Sequence, residues 1–291
     1  MENPTFKQIR YDRPGEGVAR ITLARADIAN AQDRAMLYEI NAALDFAMHD
    51  DEVNVVIMAG DGRHYSSGHH LTDQSKIGEH GTPVMGIGGY ELPGAEGYMA
   101  QELEIYLGFC WRWRNLPKPT IAQVQGYCIM GGLMLASCCD LIIAAEDALF
   151  ADRMVRWGGS HVQYFSMPWD LGPRKAKEYL FTGDYIDAAT ALDLGLVNRV
   201  VPRAELADAT LELAGRIAMQ DPFALKLAKA SVNETMDIQG QRRALEAAFK
   251  NYMLTIPHRQ ALGTYGAAAR AKGVKDRIQT RDAKFGDAAG G

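Results

Sequence analysis

Two periods of hydrophobic positions alternate along the first two thirds of the chain. Residues 18–23 alternate apolar and polar in the strand manner, and residues 35–48 carry apolar side chains at helical spacing. Residues 53–59 form a run rich in valine and isoleucine, closed by Gly60-Asp61-Gly62, which predicts a buried strand and then a turn. The alternation continues with a helix over 102–113, extended chain over 119–124, a helix over 131–139 and extended chain over 141–144. Strands separated by helices pair mostly in parallel, through right-handed crossovers, so an α/β fold is expected. Residues 72–97 are rich in Gly, Pro and polar residues and show no period; a stretch of that length is either a functional lid or a loose loop. Beyond Pro202 the pattern turns helical over 204–219, 222–236 and 241–252, and the last twenty residues carry weak order signals. The expected organisation is a core over 1–202 and a helical region over 203–291, with no internal repeat.

Composition changes this picture little. Of 291 residues, 47% are hydrophobic and 23% charged, the profile of an ordinary globular protein. A net charge of −5 argues against nucleic acid as the main partner, because phosphate backbones select basic surfaces. Cys110, Cys128, Cys138 and Cys139 fall in no CxxC pair, which suits reduced thiols of a cytoplasmic protein. The polar N-terminus does not read as a signal peptide, and no run of about 18 apolar residues suggests a membrane span.

Two segments carry chemistry. Arg63-His-Tyr-Ser-Ser-Gly-His-His-Leu71 follows a predicted buried strand, and Gly126-Tyr-Cys-Ile-Met-Gly-Gly-Leu-Met-Leu-Ala136 leads from a strand into a helix. Glycines at a helix start leave backbone N–H groups free and admit a ligand oxygen; the bland alternative is that they only make turns. His64, His69 and His70 cluster, yet no Cys/Asp/His pattern completes a zinc set, so no metal is expected.

Taken in order, ITLAR followed by NA, GDGRHYSSGHHL, PKPTIAQVQGYCIMGGLMLASCCDLIIAAEDALF and RKAKEYLFTG with GLVNRVVP resemble the landmarks of the crotonase (enoyl-CoA hydratase/isomerase) superfamily. The resemblance spans most of residues 5–205. It implies the crotonase spiral of ββα units with a C-terminal helical region, an acyl-CoA substrate that brings its own CoA, no separate cofactor, and a homotrimer or homohexamer. It also implies that the backbone amides of His69 and Gly131 hold a thioester oxygen as it gains charge, in a hole of the kind where losing one donor slows reaction about 100- to 1000-fold. The first turn, including Ser67, resembles the part that receives the CoA adenine, and His70 stands where many relatives carry Asp. Arg281-Asp-Ala-Lys-Phe285 resembles the family's closing basic segment.

The acid/base positions depart from the pattern. Ordinary hydratases carry two glutamates there, and the matching positions hold Met134 and Met154, which have no proton to exchange. Asp152 and His161 are the candidate replacements. The first has a strand-end cap as its plain reading, and the second an exposed loop histidine. Tyr164 is a candidate substrate contact or a packing aromatic. Glu102 and Glu104 open a predicted helix, where acidic residues also suit the dipole. The resulting expectation is a hydratase-like lyase, with isomerase, decarboxylase, hydrolase or a silent acyl-CoA- or RNA-binding homologue as alternatives.

Overall fold

A computed structural model describes residues 3–266 and 273–285. Its main sheet has six strands in the order β1 (Ile9–Gly15), β2 (Val18–Leu23), β3 (Val55–Gly60), β4 (Thr120–Val124), β6 (Leu141–Ala145) and β9 (Arg199–Val201). Strands β1 and β2 are antiparallel and every later pairing in this sheet is parallel, as the strand–helix alternation predicts. A small second sheet joins β5 (Tyr127–Ile129), β7 (Leu149–Ala151) and β8 (Ile186–Asp187).

Helix α1 (Arg34–His49) begins where the Asp33 carboxylate accepts the Met36 N–H at 2.9 Å, an ordinary N-cap. It buries Met36, Leu37, Ile40, Leu44 and Ala47 against one face of the sheet. All six residues of β3 are buried, because helices cover both faces of a parallel sheet.

The next helical stretch runs α2 (Gly94–Glu102), a wider π-turn (Leu103–Gly108) and α3 (Phe109–Arg114) as one body. It starts eight residues earlier than the apolar period predicts, since two glycines and few apolar residues hide its first turns. Helix α4 (Gly131–Ser137) follows β5. Helices α5 (Met167–Leu171), α6 (Pro173–Thr182) and α7 (Ala188–Asp193) connect the small sheet to β9.

Helix α8 (Leu206–Ala218) covers the opposite sheet face through Leu206 and Ala214, which join Val18, Val55, Ile57, Ile121 and Ile143. The 202/203 division therefore falls between sheet and helix in sequence, while α8 packs on the core. Helices α9 (Pro222–Ile238) and α10 (Gln241–Ala261) follow. The last described helix, α11 (Val274–Asp282), docks on residues 153–157, where Asp282 meets Arg153 at 3.2 Å and Arg281 lies over Trp157 at 4.6 Å. Phe285, at the end of the closing segment, lies under Arg156 of its own chain. Among the described residues no helix is long and apolar enough to cross a membrane.

The loop over 72–93 is irregular but fastened. Glu104, fully buried in the π-turn, accepts the Val84 and Met85 N–H groups at 2.7 and 2.8 Å and the Tyr38 hydroxyl at 3.2 Å. Hydrogen bonds to a charged group contribute about 1.5–3 kcal/mol each, and buried amides left unpaired are costly. Glu104→Ala should therefore destabilise the fold by about 3 kcal/mol. Faster amide hydrogen exchange across 80–92, read by mass spectrometry, is the expected signature of the freed loop.

Candidate active site

The first of two turns sits between β3 and the loop. Asn30 donates its side-chain amide to the carbonyls of Asp61 and His64, both at 2.9 Å, which folds the chain back after β3. Buried Ser66 then ties three segments together. Its hydroxyl donates to the Asn30 carbonyl at 2.8 Å and accepts from Gln32 Nε2 at 3.0 Å and the Gly68 N–H at 3.2 Å. Main-chain bonds finish the seam: Ser66 N–H to Tyr127 O, Ile129 N–H to Ser66 O, Gln32 N–H to Gly68 O and His70 N–H to Gln32 O.

The second turn comes from β5. Met130, held by its N–H on Ala151 O at 2.9 Å, adopts φ 55° and ψ −116° before Gly131 opens α4. An L-residue in that region carries strain of about 1–3 kcal/mol, and here the strain sits at the turn that aims the first amide of α4. The two turns touch through glycine. Gly68 has φ +101°, and a Cβ there would lie 2.8 Å from Met130 Cβ and 3.1 Å from the Gly131 nitrogen. A Cβ on Gly132 would lie 2.5 Å from the Ser66 carbonyl oxygen.

The His69 N–H and the first amides of α4, Gly131 among them, have no acceptor among the described residues, while those of Gly68, His70 and Met130 each have one. The His69 imidazole lies along Gly131, with Nε2 only 2.5 Å from where a Cβ would stand. Tyr106, from the π-turn, stacks on that imidazole with ring centres 3.9 Å apart. Burial pushes the His69 pKa down to about 3, so the ring is neutral near pH 7.

The other predicted residues are placed as follows. Met134 and Met154 are buried, and Met154 Cε packs against Gly159. Asp152 is buried and gives one oxygen to the Met154 N–H at 3.0 Å and the other to the Val162 N–H at 2.8 Å. It thus clasps the two ends of the 154–162 segment, and burial raises its pKa to about 6 despite those two bonds. His161 is buried, with Nδ1 2.9 Å from the Val162 carbonyl and its ring stacked on Phe165; burial lowers its pKa. Tyr164 is buried and lines a small pocket with Asp152, Leu133, Val162 and Asp170. Ser67 donates its N–H to Ala29 O, and the His70 ring lies near the Thr72 hydroxyl. His64 stacks on Tyr127 and accepts its N–H, so the three histidines of the motif turn to three different partners. Among the described residues no group of three His, Cys, Asp or Glu side chains gathers as a metal would require.

Glu102 and its surroundings were not foreseen. The carboxylate is buried, accepting Gln163 Nε2 at 2.6 Å and the Tyr265 hydroxyl at 3.0 Å. Gln163 also meets the Tyr252 hydroxyl, which accepts from Arg259 at 3.3 Å. Burial raises the Glu102 pKa against the opposing pull of these partners and Arg259. The one available signal was spacing: Glu102 and Tyr106 stand four apart, on one helical face.

Two outcomes follow from this geometry. Gly132→Ala should force the turns apart and destabilise the protein by about 1–3 kcal/mol, the range for overpacking, read as a lower denaturant midpoint. Asp170, which accepts the Ser166 hydroxyl at 2.7 Å, is raised to about 6 by burial. Its folded state holds a proton that the unfolded chain releases near its ordinary 3.8, so wild-type stability falls as pH rises from about 4 to about 6. Asp170→Asn keeps the acceptor and removes the titration. Its melting temperature relative to wild type should climb across that window and level off above it.

The chain matches the enoyl-CoA hydratase/isomerase family model over residues 13–86 and 99–287. It is 45% identical over 260 residues to EchA13 of Mycobacterium tuberculosis, whose name provisionally assigns it as an enoyl-CoA hydratase; the match covers 87% of this chain and 82% of that protein. A solved probable enoyl-CoA hydratase from Mycobacterium thermoresistibile superposes with TM-score 0.79 at 42% identity, covering 88% of this chain and 99% of that one. An enoyl-CoA hydratase/isomerase from Xanthobacter autotrophicus Py2 gives TM-score 0.84 at 35% identity, over 97% and 99% of the two chains. With its sheets, its two glycine turns and its helical C-terminal region, the chain belongs to the enoyl-CoA hydratase/isomerase family and has the crotonase fold.

Proposed function

We propose that this protein acts on acyl-CoA thioesters, holding the thioester oxygen between the His69 and Gly131 N–H groups while an enolate or tetrahedral oxyanion forms. The observation that carries the reading is the pair of unengaged amides on touching turns. Both are backbone donors, so they need no particular side chain, and both are fixed before any ligand arrives. Membership of an acyl-CoA-processing family supports the substrate class.

Within that class the reaction we assign is a hydratase-like lyase. Its chemistry differs from the two-glutamate form, because Met134 and Met154 can neither position water by hydrogen bonding nor carry its proton. Those methionines favour one second reading: decarboxylation to an enolate, in which carbon dioxide leaves without a base. The family expectation of a homotrimer or homohexamer agrees with Phe223, Val232 and Ile238 standing exposed along α9. A cytoplasmic setting agrees with four free thiols.

The test is mass spectrometry of an acyl-CoA panel incubated in oxygen-18 water. Label in a hydroxyacyl-CoA is the expected result; label in a free acid moves the enzyme to thioester hydrolysis, and loss of carbon dioxide to decarboxylation. Gly131→Pro removes one donor at the first residue of α4, displaces the His69 ring and forces Met130 out of its present conformation. Turnover should fall about 100- to 1000-fold. Undiminished turnover by this variant would sink the two-amide reading.

A further inference from the structure

With both glutamate positions occupied by methionine, an enolate held by the two amides has no proton source on α4 or on the 154 segment. Any donor must carry an exchangeable proton, stand beside the amide pair, and keep that proton uncommitted. Asp152, Glu102 and Tyr252 fail the last condition, and the two buried imidazoles are confined by packing. Asp152 has both oxygens on main-chain amides of its own loop. His161 faces the Val162 carbonyl and stacks on Phe165. The Glu102 oxygens are taken by Gln163 and Tyr265, whose hydroxyl is thereby committed as well. Tyr252 accepts from Gln163 and Arg259 and directs its own proton to Glu102. The His69 ring is neutral and pressed between Gly131 and Tyr106.

Tyr106 meets all three conditions. Its ring stacks at 3.9 Å on the imidazole of the residue whose N–H is one of the two donors, and that imidazole abuts the other donor residue, Gly131. The phenol ring is therefore packed against the residue that carries one donor and abuts the other. Tyr106 is only partly buried, and its hydroxyl has no hydrogen-bond partner among the described residues. It projects from the π-turn, an irregularity that a helix keeps at a cost and that recurs at functional sites.

We propose that the Tyr106 hydroxyl is the catalytic proton donor to the α-carbon of the bound thioester. The proposal rests on the two-amide reading. In hydration, water oxygen bonds to the β-carbon as the carbon–carbon double bond gives its electron pair to the α-carbon. That carbon takes the Tyr106 proton, and the tyrosinate takes one from the attacking water, so the enzyme returns unchanged. In the decarboxylating alternative, the α-carbon takes the same proton and solvent water restores it.

The surroundings fit a donor that stays protonated until used. Burial, followed by the nearby Glu102 carboxylate, raises the Tyr106 pKa, with Asp73 adding to this and Arg34 and Arg259 opposing it. The helical spacing of Glu102 and Tyr106 puts that carboxylate on the same face as the phenol.

Tyr106→Phe deletes the hydroxyl and keeps the ring on His69, so the fold and the His69 amide should survive. Wild type and variant would be incubated in heavy water with enoyl-CoA and malonyl-type CoA esters, which reach an enolate by different routes. Thermal stabilisation by each ester would report binding separately. Wild type should place one deuterium on the α-carbon. The variant should form product at least about 100-fold more slowly, the usual worth of a positioned acid, with its thermal shift unchanged. Product formed by the variant within threefold of wild type overturns the assignment of Tyr106 while leaving the two-amide reading intact. A wild type that binds the esters but turns over none of them overturns both.

Discussion

Everything distinctive in this molecule depends on two backbone turns approaching more closely than side chains allow. The Ser66 carbonyl lies where a Cβ of residue 132 would be, and the Gly131 nitrogen lies where a Cβ of residue 68 would press. Only glycine satisfies both contacts, and Gly68 also needs its positive φ. The approach is enforced from behind by ordinary sheet geometry. Strand β3 feeds the first turn and β5 the second, and Ser66 and Cys128 bridge the two as neighbouring strands would. Beside this contact the amides at 69 and 131 have no acceptor among the described residues, which is the feature the proposed function uses. The strain at Met130 is sustainable because the Ala151 carbonyl and the start of α4 hold it from both sides.

The loops around the site are held by a second device used three times: a buried carboxylate whose oxygens accept main-chain or side-chain donors from distant segments. Asp152 joins 154 to 162, Glu104 joins the π-turn to 84 and 85, and Glu102 joins α2 to 163 and 265. Burying a carboxylate is expensive, and the charge-assisted bonds only partly offset that expense. The upward shifts at Asp152 and Glu102 measure the remainder. What these contacts provide is geometry: irregular chain held in place without a regular element, next to a site where small displacements slow chemistry.

The parallel sheet was legible because buried strands such as β3 and helices such as α1 keep their periods over six to sixteen residues. Strands β5, β7, β8 and β9 escaped because two or three residues cannot display a period, and β1 because its apolar face holds only Ile9 and Tyr11 before Arg13 ends it. Near the candidate site, the two touching turns were legible because their glycines report backbone geometry directly. Side-chain roles were harder to read. Asp152 stands on the strand leading into the site, yet its carboxylate turns to amides ten residues away, a choice set by the path of the loop. Glu102 looked like a helix-start residue because the preceding turns of α2 carry no apolar stripe. Its burial depends on Gln163 and Tyr265, remote in sequence.

The two methionines change the site in a second way. On the proposed reading, apolar side chains at 134 and 154 replace polar ones near the amides, and a donor's hold on a forming negative charge strengthens as the local dielectric falls. A glutamate pair would supply protons but would also set negative charge near an oxyanion. Beside Gly131 stand an imidazole that is neutral near pH 7 and the phenol stacked on it. Such a wall favours reactions in which charge collects on the thioester oxygen and a single proton is exchanged. The π-turn is the element that presents this wall, since its widened backbone carries Tyr106 onto His69 while Glu104, two residues earlier, faces the loop. One irregular helical turn thus ties the loop over 72–93 to the ring beside His69 and Gly131.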